Sequence, residues 1–234
     1  MSLTLGAGQS VRLDLEAKKE EKFWKLKSPL DLFSLQSSVN SWLKLEAELA
    51  KTQNSLERGS SLSLEDDFLT SLDKSFTSEF YGVGTKAYWF SVWFTNSKNK
   101  TLVWMANRDR PVNALGSRVS LSRDGTMILT DVDGTIAWES NTNSTPTGAE
   151  RAELLNSGNL VLKDPQGKIL WQSFEFPTDT LLPNEPCTKS MKVTSSLGRG
   201  NFGTGYYSFY FDNDNVLRLI YDGPEMSSLL AYTD

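Results

Sequence analysis

The chain has 234 residues, 38% of them hydrophobic and 23% charged, with a net charge of −5, a balance that fits one substantial core or a domain plus an appendage. No clustered Lys and Arg are available to neutralise a nucleic-acid backbone, and no apolar run reaches the ~18 residues of a membrane span. Histidine is absent and Cys187 is the one cysteine, which excludes His-based nucleophilic catalysis, an internal disulfide and a thiolate metal cage; no enzyme, metal site or cofactor is expected, and Cys187 reads as inert.

Residues 1–55 read as an N-terminal extension, helical or partly disordered. Val11 to Lys27 is a charged run with thin apolar content. Ser28 then suits an N-cap, Pro29 the first helical position and Asp31 the positive end of the dipole. Leu32, Leu35, Val39, Trp42, Leu43, Leu45 and Leu49 follow at helical spacing, a stripe read as packing on the domain or staying loosely formed, with a partner helix as the alternative. The first twelve residues contain no apolar h-region, so no secretory signal is readable. Gly59-Ser60-Ser61 marks the join to the next region.

From Leu62 onward the pattern changes to short strands separated by turns. Tyr88, Phe90, Val92 and Phe94 alternate with Trp89, Ser91 and Trp93, the period of two of a strand. Punctuation recurs at Asp124-Gly125, Asp133-Gly134, Ser157-Gly158 and Gln166-Gly167. An internal repeat organises these strands. Ser120 to Ser140 aligns without a gap on Glu153 to Ser173, with Leu121/Leu154, Gly125/Gly158, Leu129/Leu162, Gly134/Gly167, Ile136/Ile169 and Trp138/Trp171 identical. A weaker copy ends at Trp104, so the three Trp residues are spaced by 34 and 33 residues.

One such unit cannot bury its own apolar face, but three can face inward about a shared axis. Trp104, Trp138 and Trp171 are therefore read as core. The alternative, three exposed sugar-stacking rings, is weakened by the apolar neighbours Ile136 and Ile169.

Several smaller signals are bland. Asn99-Lys100-Thr101 and Asn143-Ser144-Thr145 are N-glycosylation sequons in expected turns. The acidic cluster Glu65-Asp66-Asp67 reads as solvated surface. Asp212 to Asn215 lacks the Gly and Glu of a calcium loop and reads as a turn. The glycines between Leu197 and Gly205 lack the lysine of a phosphate loop.

Three fragments are more specific: LVWMANRDRPVN (Leu102 to Asn113), LLNSGNLVL (Leu154 to Leu162) and LWQSFEFPTDTLLP (Leu170 to Pro183). They resemble hallmark segments of bulb-type (mannose-binding-type) lectin domains, as found in plant S-locus glycoproteins and S-domain receptor-like serine/threonine kinases. The resemblance runs over residues 56–183, and GYYSFYFDNDNVLRLIYDG (Gly205 to Gly223) looks like the start of the following ectodomain segment, placed at 184–234. It implies an all-β protein, a β-prism II of three four-stranded antiparallel sheets in pseudo-threefold arrangement. It also implies an extracellular or cell-surface setting, although no signal peptide or membrane segment is readable in the chain itself.

The resemblance further implies recognition without catalysis. The partners implied are mannose-type glycans or glycoproteins; the alternative is a receptor partner or self-association. The family's pattern Gln-x-Asp-x-Asn-x-Val-x-Tyr supplies hydrogen bonds to sugar hydroxyls and an apolar contact. In the first copy it falls on Ser122, Asp124, Thr126, Ile128 and Thr130. In the second it falls on Leu155, Ser157, Asn159, Val161 and Lys163, and in the tail on Phe211, Asn213, Asn215, Leu217 and Leu219. No copy keeps the full hydrogen-bonding set, so Asp124, Asn159 and Asn215 have two open readings, sugar contact or turn formation. Lys74 and Glu79 stand where relatives carry glycine near the first hairpin.

Overall fold

The structure, a computed structural model, describes residues 53–232 apart from 65, 66, 85, 114, 115, 145, 146, 190, 199, 225 and 226. The expected helix around Ser28-Pro29 and two members of the acidic cluster, Glu65 and Asp66, lie outside the described residues. The described end of the 1–55 extension is not helical: Gln53 forms a parallel bridge with Leu69, and the first strand begins at Ser55.

Three short strands open the described chain: β1 (Ser55–Glu57), β2 (Ser61–Ser63) and β3 (Leu69–Thr70). The first repeat follows as β4 (Phe76–Val83), β5 (Ala87–Phe94) and β6 (Leu102–Met105). The second is β7 (Arg118–Leu121), β8 (Met127–Thr130) and β9 (Ile136–Glu139), and the third β10 (Arg151–Leu154), β11 (Leu160–Lys163) and β12 (Ile169–Gln172). Each repeat supplies three antiparallel strands, and one opening strand completes each sheet: β3-β4-β5-β6, β2-β7-β8-β9 and β1-β10-β11-β12. Leu56, Leu62 and Leu69, one from each opening strand, are fully buried. The opening segment thus stitches the three repeats together before any of them begins.

The three sheets share one register. Trp104 lies opposite Val92, Trp138 opposite Leu129 and Trp171 opposite Leu162, and a β-bulge follows each of those partners. The bulge is capped alike in all three. Asn107 Oδ1 accepts from Phe90 N–H (2.9 Å), Ser140 Oγ from Met127 N–H (2.9 Å) and Ser173 Oγ from Leu160 N–H (3.0 Å). A bulge sends residues on either side of it to opposite faces. Each Trp therefore points inward while Ile136 and Ile169, two residues earlier, are exposed; their apolar character is not a mark of core.

The three indoles meet edge to face, with centroids 6.0 Å apart for Trp104–Trp138, 5.8 Å for Trp104–Trp171 and 5.5 Å for Trp138–Trp171. Each such pair adds about 0.5–1.5 kcal/mol beyond simple area burial. The Trp104 indole N–H donates to Phe176 O at 2.9 Å, so its polar end is satisfied within the cluster. Around this axis Leu121, Met127, Leu129, Leu154, Leu160 and Leu162 are closed off from solvent. The result is a β-prism whose sheets turn their inner faces to one core and their outer faces away.

A fourth antiparallel sheet follows in chain order: β13 (Lys192–Gly198), β14 (Asn201–Phe211), β15 (Leu217–Asp222) and β16 (Ser227–Tyr232). The glycine-rich stretch builds the β13–β14 hairpin, with Gly200 at φ +78°. In the first hairpin Lys74 holds a left-handed conformation (φ 61°), one that glycine adopts without strain. Asp73 supports it by accepting from Ser71 Oγ and Ser75 N–H. Glu79 lies within β4 and pairs with Lys100 at 2.8 Å.

Candidate functional site

On the β2-β7-β8-β9 sheet the pattern positions start in the β7–β8 turn. Asp124 accepts from the Ser122 hydroxyl and from Thr126 N–H at 2.9 Å. These bonds, that of Ser122 first, hold its carboxyl below the ordinary carboxylate range. Ser122 also donates to Thr126 O at 2.8 Å. Asp124 remains exposed, Ile128 is half-buried, and Thr126 is 2% exposed with no hydrogen-bond partner on its hydroxyl. Of this set Ser122, Asp124 and Thr130 keep polar side chains at least partly open to solvent.

On the β1-β10-β11-β12 sheet the retained asparagine turns inward. Asn159 is 5% exposed. Its amide donates to Gln172 Oε1 at 2.8 Å, and its carbonyl accepts from Ser173 Oγ at 3.1 Å and Phe174 N–H at 3.3 Å. Both ends of the carboxamide are committed to the protein. Val161 is fully buried and Ser157 exposed.

Asn213 and Asn215 lie outside the three Trp-bearing repeats, in the β14–β15 turn of the fourth sheet. Asn215 takes φ 63°, and Asp212 accepts from Asp214 N–H and Val216 N–H, both at 2.9 Å. The same turn closes Asp131 to Gly134 and Asp164 to Gly167, where each aspartate backbone carbonyl accepts from the glycine N–H. Asn215 stands where those turns use glycine, as one of the few other residues that tolerate a left-handed conformation.

The register assigns the third set to the sheet that ends at Trp104. With Val92 equivalent to Leu129 and Leu162, Trp89, Ser91 and Trp93 hold the places of Thr126, Ile128 and Thr130. The signal for this was the Trp spacing itself, counted back from Trp104. Polar sugar-binding groups are here replaced by indoles, and the fourth sheet closes over them. Phe202 on β14 sits edge-on to Trp89 (5.1 Å) and Tyr81 (5.7 Å). Arg108 donates to Phe202 O (2.8 Å) and Thr194 O (2.6 Å), while Asp109 accepts from Thr204 N–H (2.6 Å) and Thr204 Oγ1 (2.7 Å).

The sequon asparagines Asn99 and Asn143 are both exposed, Asn99 in the β5–β6 loop and Asn143 on a single 3-10 turn. Among the described residues no cluster of His, Cys, Asp or Glu is arranged to hold a metal ion, and no helix is long and apolar enough to cross a membrane.

A family profile described as D-mannose binding lectin matches residues 101–198. The chain is 44% identical over 209 residues to the putative receptor protein kinase ZmPK1 of Zea mays, a match covering 85% of this chain and 25% of that protein. It is 42% identical over 116 residues to EP1-like glycoprotein 2 of Arabidopsis thaliana, covering 49% and 25%. A G-type lectin S-receptor-like serine/threonine-protein kinase of the same plant, At1g11300, is 33% identical over 140 residues, covering 58% and 17%. The chain thus spans a quarter or less of the length of these relatives. Among solved structures it is similar to the Marasmius oreades lectin (TM-score 0.41, 20% identity, 52% of this chain and 90% of that one). It is also similar to monomeric mannose-binding lectins of Gastrodia elata (TM-score 0.39, 19% identity, 52% and 96%). Residues 101–198 thus match the bulb-type lectin family, and the chain is similar to plant G-type lectin S-receptor-like kinases.

Proposed function

We propose that the chain is a non-catalytic recognition module that binds carbohydrate outside the cell, as part of a receptor-like ectodomain. The observation that carries this reading is the D-mannose binding lectin match over residues 101–198, which takes in Trp104, Trp138 and Trp171 and the strands β6 to β13. A closed core of this kind leaves the outer sheet faces as the surfaces a ligand meets. On two of them Ser122, Asp124 and Ser157 are among the pattern positions that retain polar atoms open to solvent, and they are groups a sugar hydroxyl would contact there. Mannose-type glycans are the ligand class the relatives' description supports. With most of the hydrogen-bonding set replaced, each lost bond removes about 1 kcal/mol from a weak interaction, so a multi-sugar ligand is expected in place of a free monosaccharide.

The domain limits fit this reading, with residues 56–183 as the lectin unit and 184–234 as the start of a following segment. A glycan array probed with the full chain, with methyl mannoside as competitor, tests it: retention on a defined oligosaccharide is the expected result. Binding to no glycan, together with concentration-dependent self-association in sedimentation, would replace it with a protein-interaction or dimerisation module. That second reading is favoured by the exposed Tyr206 and Tyr207 on the fourth sheet.

A further inference from the structure

The outer face of the β3-β4-β5-β6 sheet and the β13–β14 hairpin of the fourth sheet flank an open cleft of about 640 Å³, lined by Tyr81, Leu102, Met105, Asp179, Thr180 and Phe202 among others. We propose that this cleft is the main ligand site of the chain and that it takes a short neutral oligosaccharide. The inference rests on the carbohydrate-binding reading and locates it away from Ser122, Asp124 and Ser157.

Three observations specify the ligand. The first is shape: Tyr81 and Phe202 meet at 79° with centroids 5.7 Å apart, forming an aromatic corner against which the C–H face of a pyranose can pack. The second is an underused acceptor. The Asp179 carboxylate is engaged at 3.3 Å by its neighbour Thr180 and at 3.9 Å by Arg108 Nη2, both long, so its oxygens are free to accept from a pair of vicinal hydroxyls. Arg108 Nη2 is buried without a hydrogen bond, on a side chain about nine-tenths buried, which keeps a fixed positive charge behind that acceptor. The third is charge balance. Lys100, on the cleft's rim, is already paired with Glu79 at 2.8 Å and lies 4.4 Å above the Trp93 ring. Among the described lining residues Lys100 is the one cation and it is already engaged, which favours an uncharged ligand over an anionic one. The volume suits two or three sugar rings.

The lining includes Asn99 of the first sequon, so the test uses the full chain made in bacteria, where Asn99 carries no sugar. A panel of neutral oligosaccharides from mannobiose to mannotetraose and the corresponding chito-oligosaccharides is titrated calorimetrically, and the tightest binder is taken forward. Asp179→Asn is expected to weaken it at least about tenfold, the size of one lost charge-assisted hydrogen bond, and Phe202→Leu by up to about tenfold through the lost aromatic face. The double variant Ser122→Ala/Asp124→Ala is expected to weaken it less than either cleft variant does, with thermal midpoints confirming that all variants fold. Binding that survives Asp179→Asn but is lost in the double variant would overturn the cleft assignment and leave the carbohydrate reading standing. Failure of every oligosaccharide to bind the unaltered chain would overturn both.

Discussion

Phe202, in the fourth sheet, stands edge-on to Trp89 of β5 with centroids 5.1 Å apart and an interplanar angle of 80°, and Trp89 donates its indole N–H to the carbonyl of Arg108. Arg108 in turn reaches back to Phe202 O and Thr194 O. Ring contact and guanidinium bonds therefore form one closed loop of interactions between the prism and the fourth sheet.

Breaking that loop at the guanidinium has a local consequence. Arg108→Ala removes a planar donor that satisfies two carbonyls, and hydrogen bonds to charged groups are worth about 1.5–3 kcal/mol. Amide hydrogen exchange is expected to speed up in β13 and β14, while protection of β8 and β11 stays as it was. Arg108→Lys is expected to rescue little, because an ammonium lacks the fork that reaches both carbonyls. Uniform loss of protection across the molecule would show that the two parts unfold together and that the loop is not a separable latch.

Asn159 tests whether a retained pattern residue is structural. Its carboxamide is fully spent on Gln172, Ser173 and Phe174, so Asn159→Ala strands buried groups and is expected to cost about 2 kcal/mol in urea unfolding. Asp124→Ala, at an exposed turn, is expected to cost less than about 1 kcal/mol. Equal effects of the two would remove the distinction between a core asparagine and a surface turn.

How far the residues alone reveal this molecule depends on the kind of interaction. The gapless match of Ser120–Ser140 to Glu153–Ser173 marks two sheets, because hairpin geometry and an inward Trp are both local consequences of sequence. The fourth strand of each sheet is not local: Leu56 and Leu62 pair with strands far along the chain, and their short strands carry no readable alternation. The bulge beside each Trp inverts the facing of Ile136 and Ile169 in a way that a period of two cannot register. At the sites, Asn159 and Asn215 look alike as letters in a pattern. Separating them takes the bulge cap at Ser173 and a backbone at φ 63°. The cleft escapes a sequence reading because Tyr81, Asp179 and Phe202 come from three distant segments.

A matched pair of glycine substitutions separates backbone strain from collision. Gly125 and Gly134 share φ +84°, but a Cβ on Gly125 would fall 2.2 Å from Ala149 N, whereas one on Gly134 meets nothing within 4 Å. Gly134→Ala should therefore cost only the left-handed penalty, about 1–2 kcal/mol. Gly125→Ala must also displace the backbone at Gly148 and Ala149, adding at least about 1–3 kcal/mol. Similar unfolding midpoints for the two variants would show that this backbone yields without cost.

The pH dependence of stability follows from the turns. Asp124, held low chiefly by the Ser122 hydroxyl, and Asp212, held low chiefly by Val216 N–H, both lie below the ordinary aspartate range in the folded protein, as does Asp73 through Ser75. A carboxyl with a lowered folded pKa adds stability that is fully present above its unfolded value and is lost as pH falls through the folded one. Glu185 works in the opposite sense. Burial raises its pKa above 4.5, so its contribution declines as pH rises through that raised value. Asp131, Asp133 and Glu153 are lowered as well, so with six lowered carboxyls against one raised glutamate the thermal midpoint should drop as pH falls from about 4 to about 2. It should be nearly flat from about pH 6 to 8, because no histidine is present to titrate there. Since hydrogen bonds lead in Asp73, Asp124 and Asp212, adding salt should leave the acid limb in place. A midpoint that holds steady down to pH 2, or an acid limb abolished by salt, would mean that these turn bonds do not set the low-pH stability.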